Sequence, residues 1–351
     1  MRYKAVIVTL FISLLFLSAC SSQKTASGEK IYQLNLNVSA GPVHPFTKQV
    51  AEPWAEMVEE ETNGIVQVNI FPSAALGELS SAYEDIKSGL YEAGIVSPGR
   101  HIDTDLFPLT IGDLPFLIDD PAIAESVLSQ FKDKYMKDTF KEGQFMSISS
   151  TDAYQLYSTQ PIRTMKDMKK LKIADSVLER IELFKELDAI PVSLNNTELY
   201  ESVEKGIVDS VAYTAVGANG FKLEEVSPYM TKLDIGVATQ MFMMNQDFLE
   251  SLPEEIKEMF YEKFGPAYAS LITDLYTQSA DKAINTFEMN VKEDGGKVII
   301  PTEEELATFR KPAKIVMDQW VEIANKRGYP GEEMMAYFTS LLEEKGIIIP
   351  E

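Results

Sequence analysis

Two histidines, one cysteine and 54 carboxylates are the groups of this chain that do chemistry. His44 and His101 lie far apart, and neither stands in the H-x-x-x-H spacing that sets two imidazoles on one helix face around a metal. The sequence holds no G-x-S-x-G elbow, Walker loop or G-x-G-x-x-G turn. Acids occur along the whole chain, but the separation that paired-carboxylate hydrolysis needs is not written in sequence spacing. What remains is binding chemistry. Residues 169–176 read KKLKIADS, a short apolar run that ends in a methyl group, Ala174, and a carboxylate, Asp175. Ligands of open α/β sheets sit beyond the carboxyl ends of strands, so this strand end is a candidate binding position.

The elements that would carry such a site follow from periodicity. Ile31 to Gly41 alternates apolar and polar residues and reads as a strand. Phe46 to Glu61 places Val50, Trp54, Met57 and Val58 at helical spacing, and Thr62-Asn63-Gly64 stops it. IVQVNIFP, a helix from Ser80 to Gly89 and YEAGIVSPG complete a strand–helix–strand–helix–strand order, which implies parallel pairing. A second series of the same style begins near Phe145. FMSISSTDAYQLYSTQPI gives one or two strands, MKDMKKLKIADS a short helix and a strand, SVLERIELFKELDA a helix, and IPVSL and IVDSVAYTA further strands. Asn195 to Glu198 has capping-box spacing, with Gly206 as the helix stop. The remainder is mostly helical: LPEEIKEMFYEKF, a long unbroken pattern from Ala267 to Lys292, one helix from Glu303 to Lys326 and a last one from Glu332 to Lys345. Trp54, Met241, Met243 and Met244 read as core.

The N-terminus reads as a processed segment. Arg2 and Lys4 precede an apolar run from Ala5 to Leu17, too short to span a bilayer. It ends in LSAC, which resembles a bacterial lipobox and implies cleavage before Cys20 and a lipid on that residue. A lone cysteine excludes an intrachain disulfide. Residues 21–30 are polar and small, as a flexible tether is. The net charge of −22 becomes more negative without Arg2 and Lys4, which argues against nucleic acid or anionic lipid surfaces as partners.

Several words occur together in order: HPF at 44–46, ETNGIVQVNIFPSAALGEL at 61–79, IKSGLYEAGIVSPG, FPLTIGDLPFL at 107–117, MKDMKKLKIAD, IPVSLNNTELYESVEKGIVDSVAYT and MNQDFLESLPEEIKEMF. Together they resemble the DctP-like substrate-binding subunits of tripartite ATP-independent periplasmic (TRAP) transporters. The resemblance implies an α/β fold, two-lobed like periplasmic binding proteins of the class II type, with a long helix spanning both lobes. It also implies a receptor without chemistry or cofactor, which closes on a small-molecule solute and docks on TRAP permease membrane subunits. The division that follows is 1–19 signal peptide and 20–30 lipidated tether. Lobe 1 is 31–150 with about 240–277, and lobe 2 is 151–239 with about 278–351. The alternatives are a receptor for an ABC importer or a sensor kinase, and a secreted lipoprotein hydrolase.

The resemblance also bears on the strand end in KKLKIADS. Relatives usually have K-I-R or K-L-R there, and that arginine grips a ligand carboxylate as a planar fork. Here the position is Ala174. A second arginine of sialic-acid-binding members falls on Tyr154, their cleft asparagine on Tyr213 and their cleft phenylalanine on Asn196. The expected ligand-binding set is Ser39, His44, Arg100, Tyr154, Asp175, Asn196, Tyr213 and Thr239. Three cargoes stay open: a cation held by tyrosine faces near Asp175, a neutral polar or aromatic molecule stacked on tyrosine, or an organic acid whose counter-charge moves to Arg100 or Arg163. Each residue has a plainer reading. Tyr154 and Tyr213 suit a core, Asp175 and Asn196 suit helix starts, His44 suits a loop anchor and Arg100 suits a surface ion pair.

Overall fold

The computed structural model describes residues 28, 30–137, 139, 140 and 143–349. The leader, Cys20 and nearly all of the tether lie outside the described residues.

Eleven strands form two sheets among the described residues. The first has the order β2-β1-β3-β10-β4, from β1 (Tyr32–Asn37), β2 (Val66–Phe71), β3 (Ala93–Val96), β4 (Gly143–Ser150) and β10 (Thr239–Asn245). The second has the order β11-β9-β5-β8-β6-β7. It is built from β5 (Tyr154–Ser158), β6 (Lys172–Ala174), β7 (Ile190–Val192), β8 (Ser210–Thr214), β9 (Tyr229–Thr231) and β11 (Lys297–Ile299). As the alternation of strands and helices predicts, β1 pairs in parallel with β2 and β3, and β6 with β7 and β8. β10 returns from much later in the chain and enters antiparallel between β3 and β4.

This topology makes the chain pass between the sheets twice before β10, and the helix Gly265–Val291 later carries it across a third time, from β10 to β11. The chain leaves the first sheet at residues 151–153 and comes back at 232–238. Main chain and side chain pair these two passages: Thr151 N–H donates to the Ala238 carbonyl at 3.1 Å, and Ala238 N–H donates to Thr151 Oγ1 at 2.9 Å. The long helix, Gly265–Val291, packs on β4 of the first sheet and on β11 of the second. It covers a core of aromatic side chains. Trp54 is fully buried, donates its indole N–H to the Phe264 carbonyl at 2.8 Å, and meets the edges of Phe242 and Tyr268. Met241, Met243 and Met244 are fully buried on β10.

Two elements differ from the sequence reading. The expected single helix from Glu303 to Lys326 is two, Glu303–Arg310 and Ala313–Lys326, because Pro312 has no N–H to continue the ladder. Helix Pro121–Tyr135 goes beyond the expected elements. Its start is set by Asp120, whose Oδ1 accepts from Ala122 and Ile123 N–H at 2.7 and 3.1 Å, with proline in the first turn.

Candidate functional site

The carboxyl ends of β8 and β6 meet the start of β5. Tyr154 opens β5 opposite Thr214, and Tyr213 sits one residue before it, near the end of β8. The first sheet contributes the loops after β1 and β3, which carry Ser39, His44 and Arg100. Between them lies a cavity.

Of the expected residues, Ser39, His44, Arg100, Tyr154, Asn196 and Tyr213 line this cavity. Arg163 does not; it is exposed, and its backbone N–H serves the turn at Asp167. Asp175 and Thr239 do not line it either. Asp175 Oδ1 accepts from the N–H groups of Ser176 and Val177 at 2.7 and 2.9 Å, ordering the turn into helix Leu178–Glu186. Its carboxylate also holds Arg180, with Nε donating to Oδ2 at 2.6 Å and Nη2 to Oδ1 at 3.3 Å. Thr239 is fully buried at the start of β10, and its N–H donates to Asp113 Oδ1 at 2.6 Å. Ala174 is fully buried and leaves the cavity wall to its neighbours.

The wall is aromatic. Tyr154 meets Tyr213 edge-on at 5.8 Å, and Tyr213 meets Phe221 edge-on at 5.7 Å. Phe46 and Tyr276 complete it. Burial pushes the phenols of Tyr154 and Tyr213 up, so both are neutral donors. Burial also lowers His44 to about 4, against a partial offset from the Gly217 backbone. Its Nδ1 accepts from Phe46 N–H at 3.0 Å, which assigns the proton of the neutral ring to Nε2. Arg100 is then the one formally charged side chain among the described residues that line the cavity; no Asp or Glu does.

Contacts between the two sides close the mouth. Arg100 Nη2 donates to Asn196 Oδ1 at 2.9 Å, Thr197 Oγ1 to Glu78 Oε1 at 2.8 Å, and Ser80 Oγ to Asn195 Oδ1 at 3.2 Å. The capping box at Asn195 and Glu198 is formed, so these partners are held by a rigid helix start. On the opposite side His44 meets Phe221 at 5.4 Å.

The family model for the bacterial extracellular solute-binding proteins, family 7 (DctP), matches residues 36–323. The chain belongs to this family. Among relatives of this receptor, the ectoine-binding periplasmic protein TeaA of Halomonas elongata is 25% identical over 304 residues, covering 84% of this chain and 85% of TeaA. The ectoine/5-hydroxyectoine-binding periplasmic protein UehA of Ruegeria pomeroyi is 23% identical over 281 residues, covering 77% and 80%. A TRAP solute-binding protein from Rhodoferax ferrireducens, solved in complex with copurified benzoate, superposes with a TM-score of 0.81 at 19% identity over 89% of this chain and 98% of that one. The likeness carries the two-lobed TRAP receptor fold. In this receptor the cavity just described lies between the lobes.

Among the residues that sequence reasoning did not reach are Arg180, behind the wall, and Phe46, Phe221, Gln240 and Tyr276, which line the cavity. Only Arg180 leaves a signal in the sequence: a charge on the stripe Val177, Leu183, Phe184, Leu187, where helical spacing calls for apolar side chains.

Proposed function

We propose that this receptor captures a small organic solute bearing one carboxylate and passes it to a TRAP permease while tethered to the outer face of the cell membrane through Cys20. One observation carries the choice of solute: Arg100 is the formal charge in a cavity otherwise lined by neutral polar and aromatic groups. A carboxylate there gains a charge-assisted hydrogen bond and neutralises a half-buried cation. An ammonium ligand would meet Arg100 and no carboxylate. The ring-lined wall suits a flat or cyclic body. The benzoate of the Rhodoferax complex is an aromatic carboxylate, which supports the reading. The tether and the permease rest on LSAC and on family membership.

The test is a thermal-shift and calorimetric screen of cyclic carboxylates, their amides and matched amines against the receptor and Arg100→Met. Stabilisation by carboxylates that falls at least about tenfold in affinity in Arg100→Met is the expected result. Binding that is indifferent to Arg100, or confined to amines, sinks the reading.

A further inference from the structure

Behind the aromatic wall lies a second positive charge that the cavity does not expose. Arg180 is 1% exposed on helix Leu178–Glu186. Its guanidinium carbon sits 3.6 Å from the centroid of the Tyr154 ring. The in-plane donors are engaged elsewhere, Nε and Nη2 with Asp175 and Nη1 with the Val237 carbonyl at 3.4 Å, so the flat face of the guanidinium is what meets the ring. Burial works against this charge, and the charge and hydrogen bond of Asp175, together with Tyr154 and Asp113, outweigh it and keep Arg180 protonated. Asp113 and Glu179 are also buried here. Burial pushes them up to about 7 and about 8, and it is Asp175 that holds the guanidinium directly.

Tyr154 therefore has one face on a cation and its hydroxyl without a protein partner among the described residues. An aromatic ring attracts a cation through the negative potential above its faces. A guanidinium on one face draws that density toward itself, and it repels a second cation on the other. It also makes the phenol a stronger hydrogen-bond donor.

We propose that Arg180, acting through Tyr154, sets the charge preference of the cleft, so that this wall takes a carboxylate or carbonyl oxygen and rejects an ammonium. The inference rests on the reading of the cleft given above and deepens it. Arg180 touches no solute; it is a specificity residue that works through the ring it supports. This assigns a function to the odd strand end in KKLKIADS. Ala174 presents no guanidinium to the cleft, and Asp175 anchors one behind the wall.

Removing both charges together avoids leaving either one buried and unpaired. The test is the double variant Asp175→Asn/Arg180→Met, with benzoate, benzamide and benzylamine as probes of one shape and three charges. The wild-type receptor is expected to prefer benzoate to benzylamine, and the double variant to narrow that preference by about tenfold or more. An unchanged ratio, or a wild-type preference for benzylamine, overturns the proposal. A second readout needs no ligand: 3,5-difluorotyrosine placed at position 154 and titrated by fluorine NMR. Its phenol pKa is expected to rise in the double variant, and an unchanged or lower value overturns the influence assigned to Arg180. If the wild-type receptor binds none of the three probes, the reading of the cleft fails, while the fluorine titration still decides the role of Arg180.

Discussion

The imidazole of His44 rests directly on Gly220, the last residue of helix Ala215–Gly220. A Cβ at Gly220 would overlap Nε2 and Cδ2 of that ring. His44 follows β1 and Gly220 follows β8, so the contact joins the two lobes and needs the bare main chain. Gly220→Ala is expected to hold the lobes apart. Solute affinity should fall about tenfold or more, with the thermal midpoint of the ligand-free receptor shifted by only a few degrees, because the clash is relieved by opening. Calorimetry with the best probe of the screen, together with small-angle scattering, checks this; wild-type affinity would show that the contact is not part of closure.

The same ring gives a pH signature. Burial in the closed cleft lowers His44 to about 4 from its ordinary 6.5. A group with a lowered pKa gives up its contribution as protons bind the open form, so closure weakens as pH falls from about 6.5 toward 4. Asp113, Asp152 and Glu179, raised to about 7, 7 and 8 chiefly by burial, act in the opposite sense, weakening the folded state as pH rises toward those values. Comparing wild type with His44→Gln isolates the histidine. The ratio of their affinities should move by about tenfold between pH 7 and pH 5, in favour of the variant at pH 5. A pH-independent ratio would remove His44 from the transition.

Asp175 and Arg180 together form a buried ion pair with 2% of each side chain exposed. Asp175→Asn leaves the guanidinium without its counter-charge, which costs about 3–5 kcal/mol for a buried pair broken on one side. The double variant Asp175→Asn/Arg180→Met should recover most of that stability. Urea denaturation of the three proteins checks the pattern, and equal stability of single and double variants contradicts it.

The pair also marks the limit of what the sequence reveals. Strand ends at Ala174 and Val192, the capping box at Asn195 and the unbroken helix from residue 265 to 291 are local features, and periodicity or capping chemistry reads them to within a few residues. The antiparallel entry of β10 between β3 and β4 is not local, because nothing within Thr239–Asn245 names its neighbours. The cleft divides in the same way. Ser39, His44, Arg100, Tyr154, Asn196 and Tyr213 lie near ends of strands or in the loops that follow them, where position alone suggests a ligand. Phe221 reaches the cavity from the end of the helix after β8 and Tyr276 from the long helix, and helical spacing alone does not say which face meets a cavity. Asp175 reads equally well as a cap or a contact from sequence, since its partner Arg180 becomes visible only when the helix turns it back beneath Tyr154.

At the mouth, Thr197 to Glu78 and Ser80 to Asn195 are exposed hydrogen bonds between lobes. Each is worth about 0.5–1.5 kcal/mol at most in such a setting, since water competes for both partners. They exist only when the cleft is shut, so their loss falls on the closed form and not on the fold of either lobe. Thr197→Val combined with Ser80→Ala should therefore leave the thermal midpoint of the ligand-free receptor within about two degrees, while solute dissociates roughly three to thirty times faster. Stopped-flow release of the best probe measures the rate directly. Release at the wild-type rate would mean that the rim contacts do not hold the closed state, and that retention rests on Arg100, Asn196 and the aromatic wall.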